Sequence, residues 1–297
     1  MKSKIQFILS MSIFGTSGII VRHIDLATSE IALLRGLIGS LFLATVIFSM
    51  KQKISWAAIR ENGLIILVSS TALGANWIFL FEAYKHTTIA NAALSYYFAP
   101  VFVMLLSPLI LKEKLSPGRF FCVCVAMLGM VLIVDNGRHR TVEYNHLLGI
   151  AYGLIAAAFY ASLMLLNKFM KNLNGLETTL IQLATASFVL MPYVLLTEGF
   201  KIFHTSGSSM AFILLLGIVH TGVGFFLFFS GIQGLKGQTI AVLSYVDPIT
   251  SLVTAVLVLR ERMTAMQLLG GALLLGSTFV SASGLTAKVF LWRRQEM

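Results

Sequence analysis

Three ionisable side chains stand inside stretches that are otherwise apolar: Arg35, His220 and Asp247. Asp247 lies nine residues into the apolar run 238–259, ~13 Å along a helix at 1.5 Å per residue. A carboxyl group at that depth must face a cavity, find a partner or take a proton. It either binds a cation or ammonium group and carries protons, or it is a neutral acid bonded within the bundle beside the backbone gap left by Pro248. His220 sits at a comparable depth in the run 209–232. Imidazole titrates near neutrality, which suits a proton relay with Asp247; a satisfied packing histidine is the alternative. Arg35 lies about five residues into the run 30–50, counted from its start. Its planar fork matches a substrate carboxylate. It could equally snorkel outward or pair with Glu30 or Glu82.

Aromatic and polar residues accompany these groups. Tyr97 and Tyr245 each precede a proline, Pro100 and Pro248, by three positions. Asn76 and Trp77 in the run 63–84 and Tyr96 in the run 88–111 add further polar and aromatic groups, and ring faces attract cations. The set reads either as a translocation path with an aromatic cage or as ordinary helix packing. Pro100 and Pro248 are expected to kink their helices, since proline removes a backbone bond. No side chains show a metal-binding spacing, no glycine loop cradles phosphate, and no cofactor is expected. Cys122 and Cys124 fall roughly 200° apart on a helix, too far round to share a metal.

The elements that must position these residues follow from composition. Of 297 residues, 57% are hydrophobic and 11% charged, and mean hydropathy is +0.87. A soluble domain carries about a quarter of its residues as charges. The apolar runs fall at 5–22, 30–50, 63–84, 88–111, 117–134, 147–168, 177–197, 209–232, 238–259 and 265–287. Each approaches the ~20 residues that span a bilayer. The fold class is therefore an all-α integral membrane protein of ten transmembrane helices, with the lipid bilayer as its environment. The net charge of +10 lies between the runs rather than on a soluble basic surface, which argues against nucleic acid. Fourteen Lys and Arg fall on the side holding both termini and seven on the other. The positive-inside rule then places both termini in the cytoplasm of an inner (plasma) membrane protein.

Shifting the chain by 148 positions aligns residues 74–114 with 222–262 without a gap. Gly74 meets Gly222, Phe81 meets Phe229, Tyr97 meets Tyr245, Pro100 meets Pro248 and Glu113 meets Glu261. Nearby shifts place Phe14 over Phe159, Glu30 over Glu177 and Arg35 over Gln182. Two copies follow, 1–140 and 141–297, with five spans each. An odd number of spans inserts the second copy upside down, the design of many secondary transporters. The triplets around Glu113 and Glu261 read as anchors of helical hairpins. Ser116-Pro117 reads as a helix cap and first helical position. Gly36 with Ser40, and Ala272 with Gly276, read as close helix contacts.

The stretches Leu94-Ser95-Tyr96-Tyr97-Phe98-Ala99-Pro100 to Leu111-Lys112-Glu113-Lys114-Leu115, and Leu243-Ser244-Tyr245-Val246-Asp247-Pro248 to Leu259-Arg260-Glu261-Arg262, resemble the drug/metabolite transporter superfamily in its ten-helix EamA type. The resemblance covers nearly the whole chain. It departs from that pattern at Lys112 and Arg260, where glycine is common, and at Asp247, where glutamate is frequent. The resemblance implies export of amino acids or related metabolites, though some members import. Importing a small amine or exporting varied drugs are the alternatives, in a monomer or a homodimer. An integral membrane enzyme is the rival class; the chain lacks the His-Glu-x-x-His motif and the sizeable loops such enzymes use. A channel would favour a symmetric ring of pore residues.

Overall fold

The computed structural model describes residues 2–21, 23–87, 92, 95–114, 116–133, 145–197, 199–202, 205–257 and 265–282. The loop 135–144, the triplet Arg260-Glu261-Arg262 and Trp292 lie outside them. Among the described residues the fold is entirely helical. In chain order the elements are α1 (Lys2–Gly15), α2 (Ser17–Val21), α3 (Thr28–Ser49), α4 (Trp56–Glu61), α5 (Gly63–His86), α6 (Ala99–Leu111), α7 (Pro117–Ile133), α8 (His146–Leu166), α9 (Gly175–Thr197) and α10 (Gly207–Leu215). A π-helical segment, Leu216–Val223, then leads into α11 (Gly224–Gln233), followed by α12 (Gly237–Leu243), α13 (Val246–Leu257) and α14 (Ala265–Ala282).

Six helical stretches among these residues are long and apolar enough to cross a membrane: Lys2–Val21, Thr28–Ser49, Gly63–Ala83, Leu147–Phe169, Gly175–Thr197 and Gly207–Gln233. Ala99–Leu111 and Pro117–Gly129 are shorter apolar helices. The protein is thus a multi-pass membrane protein. Large apolar side chains point outward, among them Phe48, Leu64, Leu109, Leu147, Phe188 and Leu196. Hydrocarbon rather than water suits such a surface.

Inside, α3 packs along α9, α5 along α8 and α7 along α14. α1 lies against α11 and α13, α6 against α8 and α12, and α3 against the π segment. Phe7, Met11, Trp77, Phe225, Phe228 and Phe229 are buried at the centre. Gly129 supplies the close approach of α7 to α14, where a Cβ would stand 2.6 Å from the Gly270 carbonyl. Gly276, expected to do this work, has open space beside it. Gly36 meets Ser187 as expected. Cys122 is buried and Cys124 exposed, in keeping with their opposed helical positions.

The expected spans are interrupted where the chemistry is. The first breaks at Thr16, between α1 and α2, and the ninth breaks at Ser244–Tyr245, between α12 and α13. Pro100 and Pro248 do not kink a continuous helix. Each stands in the first turn of a new one, α6 or α13, just after a turn containing Tyr97 or Tyr245. Proline is well placed there because first-turn N–H groups have no intrahelical acceptor. Pro117 likewise opens α7 as predicted.

Candidate functional site

The breaks converge. Gly15, the last residue of α1, touches the start of α13: a Cβ there would lie 2.5 Å from the Asp247 carbonyl and 2.7 Å from Thr250 Cβ. Glycine is required by that approach. The Gly15 carbonyl, freed by the break, accepts the Ser251 hydroxyl at 2.8 Å, as backbone groups away from water must. Thr16 donates its hydroxyl to the Ile13 carbonyl at 2.7 Å and contacts His220 Nε2 at 2.9 Å. Which atom holds the proton in the Thr16–His220 contact is set by the imidazole tautomer. His220 therefore bonds to the break in the first span. Among the described residues it makes no bond to Asp247, and the relay expected between them has no direct contact.

His220 belongs to the π segment. Such wider turns recur where a helix serves a site. The next residue, Thr221, donates to the Leu216 carbonyl at 3.0 Å and accepts Arg35 Nε at 2.9 Å. Arg35 also lies over the Trp77 ring, 5.4 Å from its centroid, an arrangement worth about 2 kcal/mol where water is thin. Arg35 pairs with neither Glu30 nor Glu82. Glu30 accepts backbone N–H groups from Lys201 and Ile202, and Glu82 accepts from Lys85 Nζ and the Tyr193 hydroxyl. The terminal amino groups of Arg35 have no partner among the described residues.

Tyr160 of α8 supplies a further aromatic ring. It stacks on Tyr96 (centroids 5.5 Å, 21°) and on Phe228 (5.9 Å, 11°). It is also within electrostatic range of Arg35, Tyr97 and Asp247. The Asp247 carboxylate has no hydrogen-bond donor among the described residues. Arg35, Trp77, Tyr96, Tyr97, Tyr160 and Asp247 thus line one region. It combines a cationic fork, an acid and aromatic faces.

Two expected residues stand apart from it. Asn76 is buried and donates to the Ala156 carbonyl at 2.8 Å, fastening α5 to α8. Tyr245 is 1% exposed and has Cys124 of α7 within electrostatic range. Tyr160, Thr221 and Thr16 escaped the sequence reading. A tyrosine in an apolar run, 13 residues past the start of that run at 147, was the one available signal.

The sequence matches the EamA-like transporter family over residues 1–135 and again over 147–283. The chain belongs to that family. Among its relatives, the "Uncharacterized transporter YxxF" of Bacillus subtilis is 30% identical over 84% of this chain and 79% of its own length. An "Uncharacterized transporter" of Archaeoglobus fulgidus is 28% identical over 92% of this chain and 94% of its own length. The "Uncharacterized inner membrane transporter YicL" of Salmonella typhimurium is 24% identical over 94% of both. A crystal structure superposes with a TM-score of 0.83 over 97% of this chain and 98% of its own, at 17% identity, and so shares the fold. EamA-like chains are named as transporters, and Arg35 lies in one of the helices long and apolar enough to cross a membrane.

Proposed function

We propose that this protein is a secondary transporter of small zwitterionic metabolites, an exporter of amino acids or related compounds working by alternating access. The observation that carries the reading is the pair of unmatched groups, Arg35 and Asp247, each within electrostatic range of Tyr160. Burying charges without partners is costly, so a site that keeps them calls for a ligand bearing the complementary ones. The substrate carboxylate meets the Arg35 fork. Its ammonium group meets Asp247, and its side chain lies against Trp77, Tyr96 and Tyr160. Asp247 exchanges that ammonium for a proton, and His220 adjusts the pH response through Thr16.

In this reading the chain crosses the inner membrane ten times, as inverted halves 1–140 and 141–297 with both termini cytoplasmic. The helix packing supports it. Exchanging α1 with α8, α3 with α9, α5 with α10–α11, α6 with α12–α13 and α7 with α14 returns the same neighbours. The contact α1–α11 becomes α8–α5, α1–α13 becomes α8–α6, and α3 on the π segment becomes α9 on α5. The pairs α3–α9, α6–α12 and α7–α14 map onto themselves. Two halves that can swap conformations yield inward- and outward-open states of similar energy.

The test is flux from proteoliposomes loaded with labelled amino acids, their amides and the matching decarboxylated amines, with and without a pH gradient. Efflux of the amino acid driven by the gradient is expected, and Asp247→Asn should abolish the gradient's effect. Flux of the amines alone, undiminished in Arg35→Gln, would identify an amine carrier instead. Conversion of any substrate to a new product would make the protein an enzyme.

A further inference from the structure

The helices α3 and α9 run antiparallel. The contacts Glu30–Lys201, Gly36–Ser187 and Ser55–Glu177 follow one another along the pair, rising on one helix as they fall on the other. At one end Glu30, 0% exposed, accepts the Lys201 and Ile202 amides at 2.8 and 2.9 Å through Oε1. Those amides belong to the loop that follows α9. At the other end Glu177, 4% exposed, accepts the Ser55 amide at 2.8 Å, from the loop that follows α3. Its second oxygen accepts Asn174 N at 3.1 Å while Asn174 Oδ1 accepts Glu177 N at 2.9 Å. Each helix therefore grips, with a carboxylate in its own first turn, the loop leaving the other.

Neighbouring ties reinforce both ends. Beside Glu177, Asn62 exchanges two hydrogen bonds with the Lys171 backbone, at 2.8 and 3.0 Å. Beside Glu30, the Ser209 hydroxyl donates to the His23 carbonyl and accepts Asp25 N, each at 3.2 Å. α3 has 22 residues, ~33 Å of rise, so the two ends lie at opposite membrane faces. Bonds between a carboxylate and N–H groups are about twice as strong as neutral ones. Both clamps are closed together in this structure.

We propose that Glu30 and Glu177 are positioning residues: crosswise clamps at both faces hold α3 and α9 as one rigid member through the transport cycle, so that Arg35 keeps its place while other helices move. The proposal rests on the alternating-access reading above. Movement must then fall to the elements with broken helices, α1–α2, α6 and α12–α13.

The closing experiment locks the pair covalently. In the full chain with Cys122 and Cys124 replaced by alanine, Gly36→Cys and Ser187→Cys are introduced together. A Cβ at Gly36 lies 3.6 Å from that of Ser187, within the range of ~3.5–4.5 Å that a disulfide bridges. Oxidised and reduced protein in liposomes should export amino acids at rates within about twofold of each other. A tenfold or greater fall on oxidation, reversed by reductant, would overturn the clamp. Absence of flux in the reduced protein would instead count against the transport reading. Amide exchange then decides the clamp on its own: in the unmodified full chain in nanodiscs, the Ser55, Lys201 and Ile202 amides should keep their protection within about twofold at each pH and with or without amino acids. Loss of protection at either end under any of these conditions would overturn it. Glu30→Ala should raise the KM for an amino acid about tenfold at unchanged maximal rate, and Glu30→Gln, which keeps an acceptor oxygen, should restore it. Equal KM in all three proteins would also overturn it.

Discussion

Arg35 on α3 and Gln182 on α9 occupy matching places under the sequence shift, yet their surroundings differ throughout. Gln182 is 0% exposed. Its amide donates to Ser69 Oγ at 2.7 Å and Asn167 Oδ1 at 3.1 Å, and its oxygen accepts from Asn167 Nδ2 at 3.4 Å. Arg35 is half-buried, with one side-chain bond to Thr221 and an aromatic ring beneath it. One buried polar group is closed by protein partners; the other keeps donors in reserve. A satisfied network rigidifies a bundle, whereas an unsatisfied charge marks where a ligand completes it. Other positions repeat the contrast. Asp247 faces Ala99 across the 148-residue shift, and the break at Gly15 faces Tyr160 across the 145-residue one. Under the proposed repeat, the two halves share a scaffold and divide the chemistry between them.

Arg35→Gln attacks the open member of that comparison. Removing the charged fork should cost two charge-assisted hydrogen bonds, each about 1.5–3 kcal/mol, and so lower kcat/KM for amino acid efflux by roughly 100-fold or more. Thermal stability should hardly change, as followed by the fluorescence of the purified protein on heating. Gln182→Leu attacks the closed member and should show the reverse. It leaves the buried Asn167 Oδ1 without its donor, so the protein should lose about 1–3 kcal/mol of stability, a lower melting temperature, with KM unaltered. Equal effects of the two variants on KM would remove the distinction. Tyr160→Phe sharpens it further. Loss of one neutral hydroxyl that contacts substrate should raise KM by about threefold to tenfold. His220→Gln should have the smallest effect at fixed pH: a displaced pH–rate profile with a maximal rate within about threefold of the parent. An unchanged profile would remove His220 from proton handling.

The sequence carried the apolar runs, because bilayer thickness sets their length, and it carried Arg35 and Asp247, because charge in an apolar run is conspicuous. It did not carry the partners. Glu30 was a natural candidate to pair with Arg35, five positions on; folding instead turns it toward amides 171 residues away. Tyr160 gave almost no sign of itself, since its meaning comes from α3, α6 and α13 arriving around α8. The prolines were legible as interruptions but not as beginnings. Whether a proline kinks a helix or opens one depends on the turn before it, and tyrosine there gives no local signal. Glu113, expected to anchor its own helical hairpin, instead reaches across the chain: its carboxylate accepts Gly237 N at 3.0 Å at the start of α12.

The π segment around His220 has a consequence for how this span tolerates change. In a regular helix each deleted residue swings everything beyond it by about 100°, misaligning every face that packs. A π turn holds one residue more than its α-helical counterpart. Excising one residue between Leu216 and Val223 should therefore tighten the turn to ordinary pitch and leave both flanks in register. The span would still thread the bilayer, its Phe225 and Phe228 still facing inward, but His220 and Thr221 would lose the widened turn that presents them to Thr16 and Arg35. Length polymorphism at this one position would separate a helix that merely crosses from a helix that also serves the site.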